Sequence, residues 1–380
     1  RYGTGFGMSG YPNYVLNCYD TGNFGALLIS LPVSEGFNLT YSKVLNDIGT
    51  MAFTVPADGQ DWNTIFADDN IIDLLRTDPN GNLVVEESYF VVLRDHFVAT
   101  DGDRYVIGGY SLNELIRRAV VDPADDSVQP NGGFVTKAGD VVQVVRAYVR
   151  ENIGDLASAA RTRPRFSVPV QPNTGSNIGA NLRYENLWDE MQKLAVAGGI
   201  ELNIVHDGSG NIELELARIG TDRSVTTNPI PPYLVFDPRR GNLFNPRLLI
   251  DRKQEKNFYY VLGEGDGANR PMIPVVSTAS NDTIYARREA TVDARDASRG
   301  DTTVMLTSGA QALLDNRAVI EFSFDILPDI DGSIYRRDWF FGDTATFIWD
   351  NVQYDRRITE LEVSLDESGE NMSIKLSEVL

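Results

Sequence analysis

Cys18 is the only cysteine among 380 residues, so no intrachain disulfide can form and no thiolate cluster can hold a metal. It lies in the apolar run YVLNCYD and is expected to pack as a small hydrophobe. Histidine is almost as scarce: His96 and His206 are the only two. Both are read at strand ends, with no second imidazole at ligand spacing. No apolar run reaches the roughly 18–20 residues that a membrane span needs. The opening RYGTGFGMSGYP has neither an initiator Met nor an apolar h-region and is not read as a signal peptide. The triplets at Asn38, Asn281 and Asn371 therefore carry no secretory meaning. Positive charge is also short, with 34 Lys and Arg against 54 Asp and Glu and a net charge of −20. Such a chain is repelled by nucleic-acid phosphates. Arg-Arg pairs at 117–118, 239–240, 287–288, 336–337 and 356–357 are expected on solvated faces or in ion pairs.

Recognised catalytic motifs are missing as well. VLGEGDGANR, residues 261–270, places a glycine at every second position after an aromatic run. A dinucleotide fingerprint needs G-x-G-x-x-G opening a helix. Here the spacing is G-x-G-x-G, and Pro271 and Pro274 oppose a following helix. No Lys lies between 257 and 300 to serve a P-loop, and Glu264, Asp266 and Asn269 are too few oxygen donors for calcium. The stretch is read as a turn between strands. DILPDIDGS, with Asp325, Asp329 and Asp331, departs from the EF-hand pattern and is read as solvated loop acids. No G-x-S-x-G elbow accompanies the histidines, although a Ser-His-Asp arrangement stays open on residue types alone. The many carboxylates single out no glycosidase pair. Trp62, Trp188, Trp339 and Trp349 are too scattered for a sugar platform and are assigned to core or interface. No catalytic, cofactor-binding or metal-ligating residue emerges.

What the chain does contain is β pattern. YVLNCYD, ALLISLPV, FNLTYSKV, TMAFTVPA, SYFVVLRD and RYVIGGY are short, rich in β-branched and aromatic residues, and bounded by turn formers. That regularity predicts a barrel or sandwich over residues 1–121. A short helix is expected at 111–120, opened by a Ser111/Glu114 capping box. Residues 122–235 read as an α+β unit. GDVVQVVRAYVREN (139–152) forms a helix with Asp140 as N-cap. RYENLWDEMQKLAVAGG (183–199) forms another, ending at Gly198 and Gly199. IELNIVH-DGSGN-IELELAR reads as a hairpin. Strands return at 236–288 and 334–380, separated by a small α/β insertion at 289–333 with a helix at SGAQALLD (308–315). The composite is mainly β with a small α+β part: two barrel-like halves with inserted α+β units.

The order of several phrases carries a resemblance. LNDIGTMAFTVPADG (45–59), GYSLNELIRRAVV (109–121) and AGDVVQVVRAYVRENIG (138–154) come first. ARIGTDRS (217–224), FDPRRGNLFNPRLLIDRKQEKNFYYVLGEGDGANR (236–270), RREATVDARDAS (287–298) and YRRDWFFGDTATF (335–347) follow. Together they resemble, block after block and in order, the siphophage tail-hub family of baseplate-hub-like minor tail proteins, which includes tail-associated lysins. The loop at 221–233 and PADDSVQPNGG align poorly with it.

The resemblance implies a non-enzymatic structural protein of the virion at the distal end of the tail. It implies a homotrimer whose two barrel-like domains per chain make a pseudo-sixfold ring that continues or caps the tail tube and gates DNA ejection. Implied partners are the distal-tail or tail-tube protein, the tape-measure protein and fibre or tip proteins, with DNA passing through without specific binding. Because the last residues read as a barrel strand, a bare hub without a C-terminal enzymatic extension is expected, with no cofactor and no membrane span. Two other classes fit the same composition: a β-rich carbohydrate-active enzyme or host-surface adhesin, and the hub of a contractile injection system.

Overall fold

The computed structural model describes residues 13–23, 25–33, 37–57, 59–100, 102–123, 133–227, 231–277, 285–295, 302–326, 330–366 and 369–378. Asn281 and Asp329 lie outside them. The first part runs β1 (Tyr14–Asp20), β2 (Ala26–Pro32), β3 (Leu39–Val44), β4 (Thr50–Pro56), α1 (Trp62–Ile65), β5 (Ile71–Thr77), β6 (Leu83–Ala99), β7 (Gly102–Ser111) and α2 (Glu114–Arg117). The α+β unit follows with β8 (Val135–Asp140), α3 (Val141–Asn152), β9 (Phe166–Ser167), β10 (Asn177–Leu182), α4 (Leu187–Gly198), β11 (Ile200–His206) and β12 (Ile212–Arg218). The last part holds β13 (Val235–Phe236), β14 (Leu243–Asp251), β15 (Phe258–Leu262), β16 (Met272–Val276), β17 (Glu289–Asp293) and α5 (Thr302–Asp315). It closes with β18 (Val319–Ile326), β19 (Thr344–Trp349), β20 (Val352–Asp366) and β21 (Gly369–Glu378).

The molecule is mainly β with a smaller α+β part, as expected. Alternation explains the strands: Leu39 and Tyr41 on β3 and Met51, Phe53 and Val55 on β4 point into the core, while Thr40, Ser42, Thr50 and Thr54 point away. The two barrel-like halves are joined. One 13-stranded sheet runs β14-β18-β21-β20-β3-β4-β7-β6-β5-β1-β2, with β13 and β19 alongside. The join is β20 on β3, antiparallel from Leu365↔Leu39 to Glu360↔Val44. Beneath it a single core combines Leu16, Phe53, Phe66 and Tyr89 with Phe236, Phe322, Phe347 and Trp339. Cys18 packs there too, its Sγ donating to the Ile65 carbonyl at 3.1 Å, and burial pushes its thiol up to about 12.

The α+β unit packs around a second core, which it shares with Ile71 of β5, Phe90 of β6 and Leu115 and Ile116 of α2. Valine is a mediocre helix former, losing roughly 0.5 kcal/mol against Ala, yet Val141, Val142, Val144, Val145 and Val149 of α3 are all buried. Burial returns about 1.5 kcal/mol or more per side chain and wins. Asp140 caps α3 as expected, accepting from the Val142 N–H at 2.9 Å. Asn186 opens α4, and Gly199 closes it in the left-handed region at φ 70°. The β11–β12 hairpin is present in full register.

Several expectations need correction. Ser111 caps no helix: it is the last residue of β7, its N–H bonds to Gly49 O, and its hydroxyl accepts from the Gly49 N–H. The hydroxyl is thus engaged across the ladder, and the helix begins only after Asn113 as a single turn, Glu114–Arg117, in which Glu114 pairs with Arg117 and Arg118 instead. His96 sits inside β6 rather than at a strand end, stacked on Tyr105 across the pair at 4.3 Å. Asp325 belongs to β18 rather than to a loop. Sheet membership also divides the last part elsewhere than at 288/289 and 333/334. Strands β16-β15-β17 form a separate sheet under α5, whereas β18 lies in the large sheet. The helix there is longer than 308–315, spanning Thr302–Asp315. Among the described residues no helix is long and apolar enough to cross a membrane.

The hairpin turn of the α+β unit docks on the β1–β2 turn through two glycines. A Cβ on Gly25 would lie 2.3 Å from the Gly210 Cα, and one on Gly210 would lie 2.4 Å from the Gly25 Cα. Both also have positive φ. Gly25→Ala or Gly210→Ala should therefore cost about 1–3 kcal/mol. Gly208→Ala, also at positive φ but facing open space, should cost about 1–2 kcal/mol from backbone strain alone. Thermal unfolding of the three variants checks the order.

Candidate functional site

VLGEGDGANR is a strand-to-strand turn. It links β15 to β16, with the Gly263 N–H donating to Pro271 O at 2.9 Å. A Cβ on Gly263 would meet Met305 Sδ and Pro271 Cγ at 2.9 Å, while Gly265 and Gly267 have positive φ. Arg270 folds back, donating to the carbonyls of Gly263 and Leu262 and to Asp293. The glycines serve backbone approach and turn geometry.

The Ser-His-Asp possibility resolves into a different geometry. His206, Asp73 and Ser88 do meet, and all are buried. Asp73 sits in the middle: it accepts from the Ser88 hydroxyl at 2.7 Å and lies 2.9 Å from His206 Nδ1. The other ring nitrogen, Nε2, accepts the Gly210 N–H at 2.8 Å. A catalytic imidazole needs Nε2 free to take the serine proton. Here a backbone donor occupies it, and the serine is on the carboxylate's side. The group fastens the hairpin to β5 and β6. Tyr19 adds an edge contact to the ring at 4.8 Å.

The most unusual chemistry is a buried ionic seam between the two halves. Arg76 on β5 binds Glu370 on β21 with two hydrogen bonds, 3.0 and 3.1 Å, and reaches the Tyr14 hydroxyl at 2.9 Å. Tyr14 also donates to Glu370 and contacts Tyr41. Nearby, Glu86 on β6 accepts from Tyr335 at 2.5 Å and Arg336 at 2.7 Å, with Lys43 at 3.4 Å. Arg76 stacks over the Tyr335 ring at 5.3 Å and joins the two clusters. Glu86 arrives there through a bulge: Leu74 pairs Glu87 and Leu75 pairs Val85, so Glu86 is the extra residue, turned inward.

Burial resists charging Glu86, but Lys43 and Arg336 outweigh it and hold the carboxyl below its ordinary value. Burial also works against the Lys43 charge, which the neighbouring carboxylates of Glu86 and Glu87 help to restore. Burial pushes the hydroxyls of Tyr14, Tyr41 and Tyr335 up, keeping them neutral donors. Beside the seam, burial pushes the carboxyls of Glu87 and Glu201 up despite Lys43.

The sheet's opposite face is polar. Thr40, Ser42, Thr50, Asp325, Glu362, Ser364, Asn371 and Ser373 line an open groove of about 340 Å³. Lys375 pairs with Glu360 at 2.6 Å, and hydrogen bonding to Glu360 pushes the Glu362 carboxyl up. Among the described residues no group of three or more His, Cys, Asp or Glu is placed to hold a metal.

The sequence matches the family described as siphovirus ReqiPepy6 Gp37-like protein over residues 33–376. The chain belongs to the Gp37-like family. Its fold is similar to that of the tail protein from Neisseria meningitidis MC58, at 13% identity and TM-score 0.57, over 96% of both chains. It is similar to the 43 kDa tail protein of prophage MuSo2 from Shewanella oneidensis, at 12% identity and TM-score 0.56, over 96% of this chain and 98% of that one. It also resembles a chain of the Francisella PdpA-VgrG complex at 10% identity and TM-score 0.53, over 98% of this chain and 53% of that one. No curated protein matches the sequence.

Sequence reasoning on this Gp37-like chain named Arg336 only as half of an Arg-Arg pair and missed Arg76, Glu86 and Glu370. Of the expected solvated charges, Arg337 pairs with Asp331 at 2.7 Å and Arg118 with Asp69 at 2.6 Å, both at the surface. Trp62, Trp188 and Trp339 are buried, as expected.

Two opposite pH dependences follow. A depressed carboxyl stabilises the fold above its unfolded value and loses that contribution as pH falls through its folded value; Glu86 is of this kind. A raised carboxyl destabilises the fold as pH climbs from its unfolded value; Glu87 is of this kind. Glu86→Gln should cost about 3–5 kcal/mol at pH 7, because it leaves buried cations short of a partner. Glu87→Gln should stabilise at pH 7, with the gain vanishing towards pH 4. Denaturant titrations of both variants at the two pH values check this, and equal gains for Glu87→Gln at both would contradict it.

Proposed function

We propose that this chain is a structural hub of a phage tail: three copies form a ring at the distal end, continuing the tube. The observation that carries this reading is the end-to-end fold likeness to proteins named as tail proteins, over 96% of each partner in the first case, together with membership of a siphovirus family. The ring would bind the distal-tail or tube protein on one side and fibre or tip proteins on the other, and would seat the end of the tape-measure protein. Each chain would contribute two tube domains, residues 1–121 and the last part from 236, with the α+β unit at 122–235 outside the wall.

The polar sheet face supports a conduit role. Its Ser, Thr and carboxylate side chains offer passing DNA neither cations in excess nor stacking surfaces. Favourable phosphate contacts would brake transit, and an acidic face avoids them. A non-enzymatic role is supported by the buried, inverted Ser88–Asp73–His206 arrangement.

A second reading, the hub of a contractile injection system, is favoured by the likeness to a chain of the Francisella PdpA-VgrG complex. Cryo-EM of the particle containing this chain, without imposed symmetry, tests both. Three copies coaxial with a non-contractile tube, their Thr40–Ser373 face towards the axis, are expected. A sheathed tube would select the second reading. A lone copy off the axis, or hydrolysis of host-surface polysaccharide by the purified chain, would overturn both.

A further inference from the structure

His206 is one of only two histidines, and imidazole is the side chain whose charge ordinarily changes between pH 5 and 8. Its side chain and that of Asp73 are 0% and 2% exposed, so the pair is sealed between the α+β unit and the large sheet. Because Nε2 accepts the Gly210 N–H at 2.8 Å, that nitrogen carries no proton. The ring is therefore the neutral Nδ1–H tautomer and donates to Asp73 at 2.9 Å. One nitrogen holds β5 and the other holds the hairpin turn, at the glycine that meets Gly25 of the β1–β2 turn.

The hairpin is held in two places by different chemistry. Near its base, Asn46 donates to Ile200 O and accepts from the Leu202 N–H, both at 2.8 Å, and Asn113 accepts from the Ile204 N–H at 2.9 Å. Neutral amides do not titrate, so these bonds are indifferent to pH. At the tip, the hold passes through the imidazole.

We propose that His206 is a proton-operated latch: a proton taken from solvent at Nε2 releases the turn at residues 207–211 from the β1–β2 turn, while the base of the hairpin stays in place. The proton adds to the Nε2 lone pair, and the Gly210 N–H···Nε2 bond breaks because both groups are then donors. Nδ1–H stays on Asp73, so a buried carboxylate beside a neutral ring becomes an ion pair. The turn keeps its own shape, since Asp207 accepts from the Ser209 and Asn211 N–H groups at 2.7 and 3.1 Å. It therefore moves as a unit.

The surrounding groups leave this step to the ring. Burial and the Asp73 charge push the Tyr19 hydroxyl, at the ring's edge, up. Burial pushes the Cys18 thiol up to about 12. Burial works against the Asp207 charge, but hydrogen bonds from Asn211 and Ser209 hold its carboxyl well below the usual range. The other charged groups here are Asp73 on β5, Asp20 at the head of the β1–β2 turn, and Arg165, whose guanidinium borders Gly210. Arginine stays charged throughout. The latch belongs to the single chain and stands apart from the ring reading above.

The test labels histidine with 15N in the purified full chain, which gives two imidazoles, with His96, 47% exposed, as internal reference. At pH 8 the His206 ring should carry a proton on Nδ1 alone, and at pH 5 on both nitrogens. Over the same step, hydrogen–deuterium exchange, normalised for the intrinsic effect of pH, should quicken about tenfold or more at 207–211 and stay unchanged at 200–204. A ring still neutral at pH 5, a ring that charges without faster exchange at 207–211, or faster exchange that spreads to 200–204 overturns the proposal. His206→Gln keeps a donor for Asp73 and an acceptor for Gly210 but takes up no proton. Its exchange at 207–211 should lose the pH dependence, and persistence overturns the latch; the wild-type spectra decide alone if that variant does not fold.

Discussion

The pairing of β20 with β3 is the constraint on which the rest depends. It brings residues 360–365 alongside 39–44, joining strands separated by most of the chain. Without it the first and last parts would each present a half-covered sheet, and Leu39, Tyr41, Leu361 and Val363 would lose the common core they share. Such a non-local ladder carries a large closure entropy, but that cost grows only logarithmically with loop length. Many apolar side chains buried together offset it.

Hydrophobic burial alone does not choose a register. Shifting β20 by two residues on β3 would keep every apolar side chain inward. The ionic seam breaks that degeneracy. Glu370 must meet Arg76 and Tyr14, and Glu86 must meet Tyr335, Arg336 and Lys43. Buried ion pairs add little net stability compared with apolar packing, but they penalise mismatched partners heavily. A two-residue slip would leave several charges buried without counter-ions. In this chain the seam therefore acts on specificity of assembly between halves, and the bulge at Glu86 is the local distortion that makes it possible.

Elements governed by short-range rules were legible in the sequence. The alternation on β3 and β4, the Asp140 cap, the αL glycine after α4 and the β11–β12 hairpin each follow from residues within a few positions of one another. What depended on distant partners was not. Ser111 looks like a helix cap until Gly49 claims its hydroxyl. Nothing in LVVEES announces that Glu86 is a bulge residue, because the bulge is defined by Leu74 and Leu75 opposite it. His206 and Asp73 stand 133 positions apart, and only the fold brings them within 2.9 Å. The division of the last part failed for a related reason. β15 and β18 have the same local character, and only their pairing assigns one to the small sheet and the other to the large one.

The fold's tolerance of sequence change follows from the same division between local pattern and specific contact. At 13% identity the Neisseria meningitidis tail protein matches over 96% of both chains. Hence few individual side chains can be required by the architecture. Alternation is cheap to conserve in kind without conserving residues: any aliphatic or aromatic inward and any polar group outward satisfies it. The outward face of β3, β4, β20 and β21 shows this, since Ser, Thr, Asn and Glu there are interchangeable as solvated groups. The seam is the opposite case. Its donors and acceptors are matched one to one in the low-dielectric interior, so no member can change alone. A relative keeping the sheet but lacking this set of charges must fix its register by another device. The sheet thus rests on the pattern, whereas the register lock rests on particular side chains matched to one another.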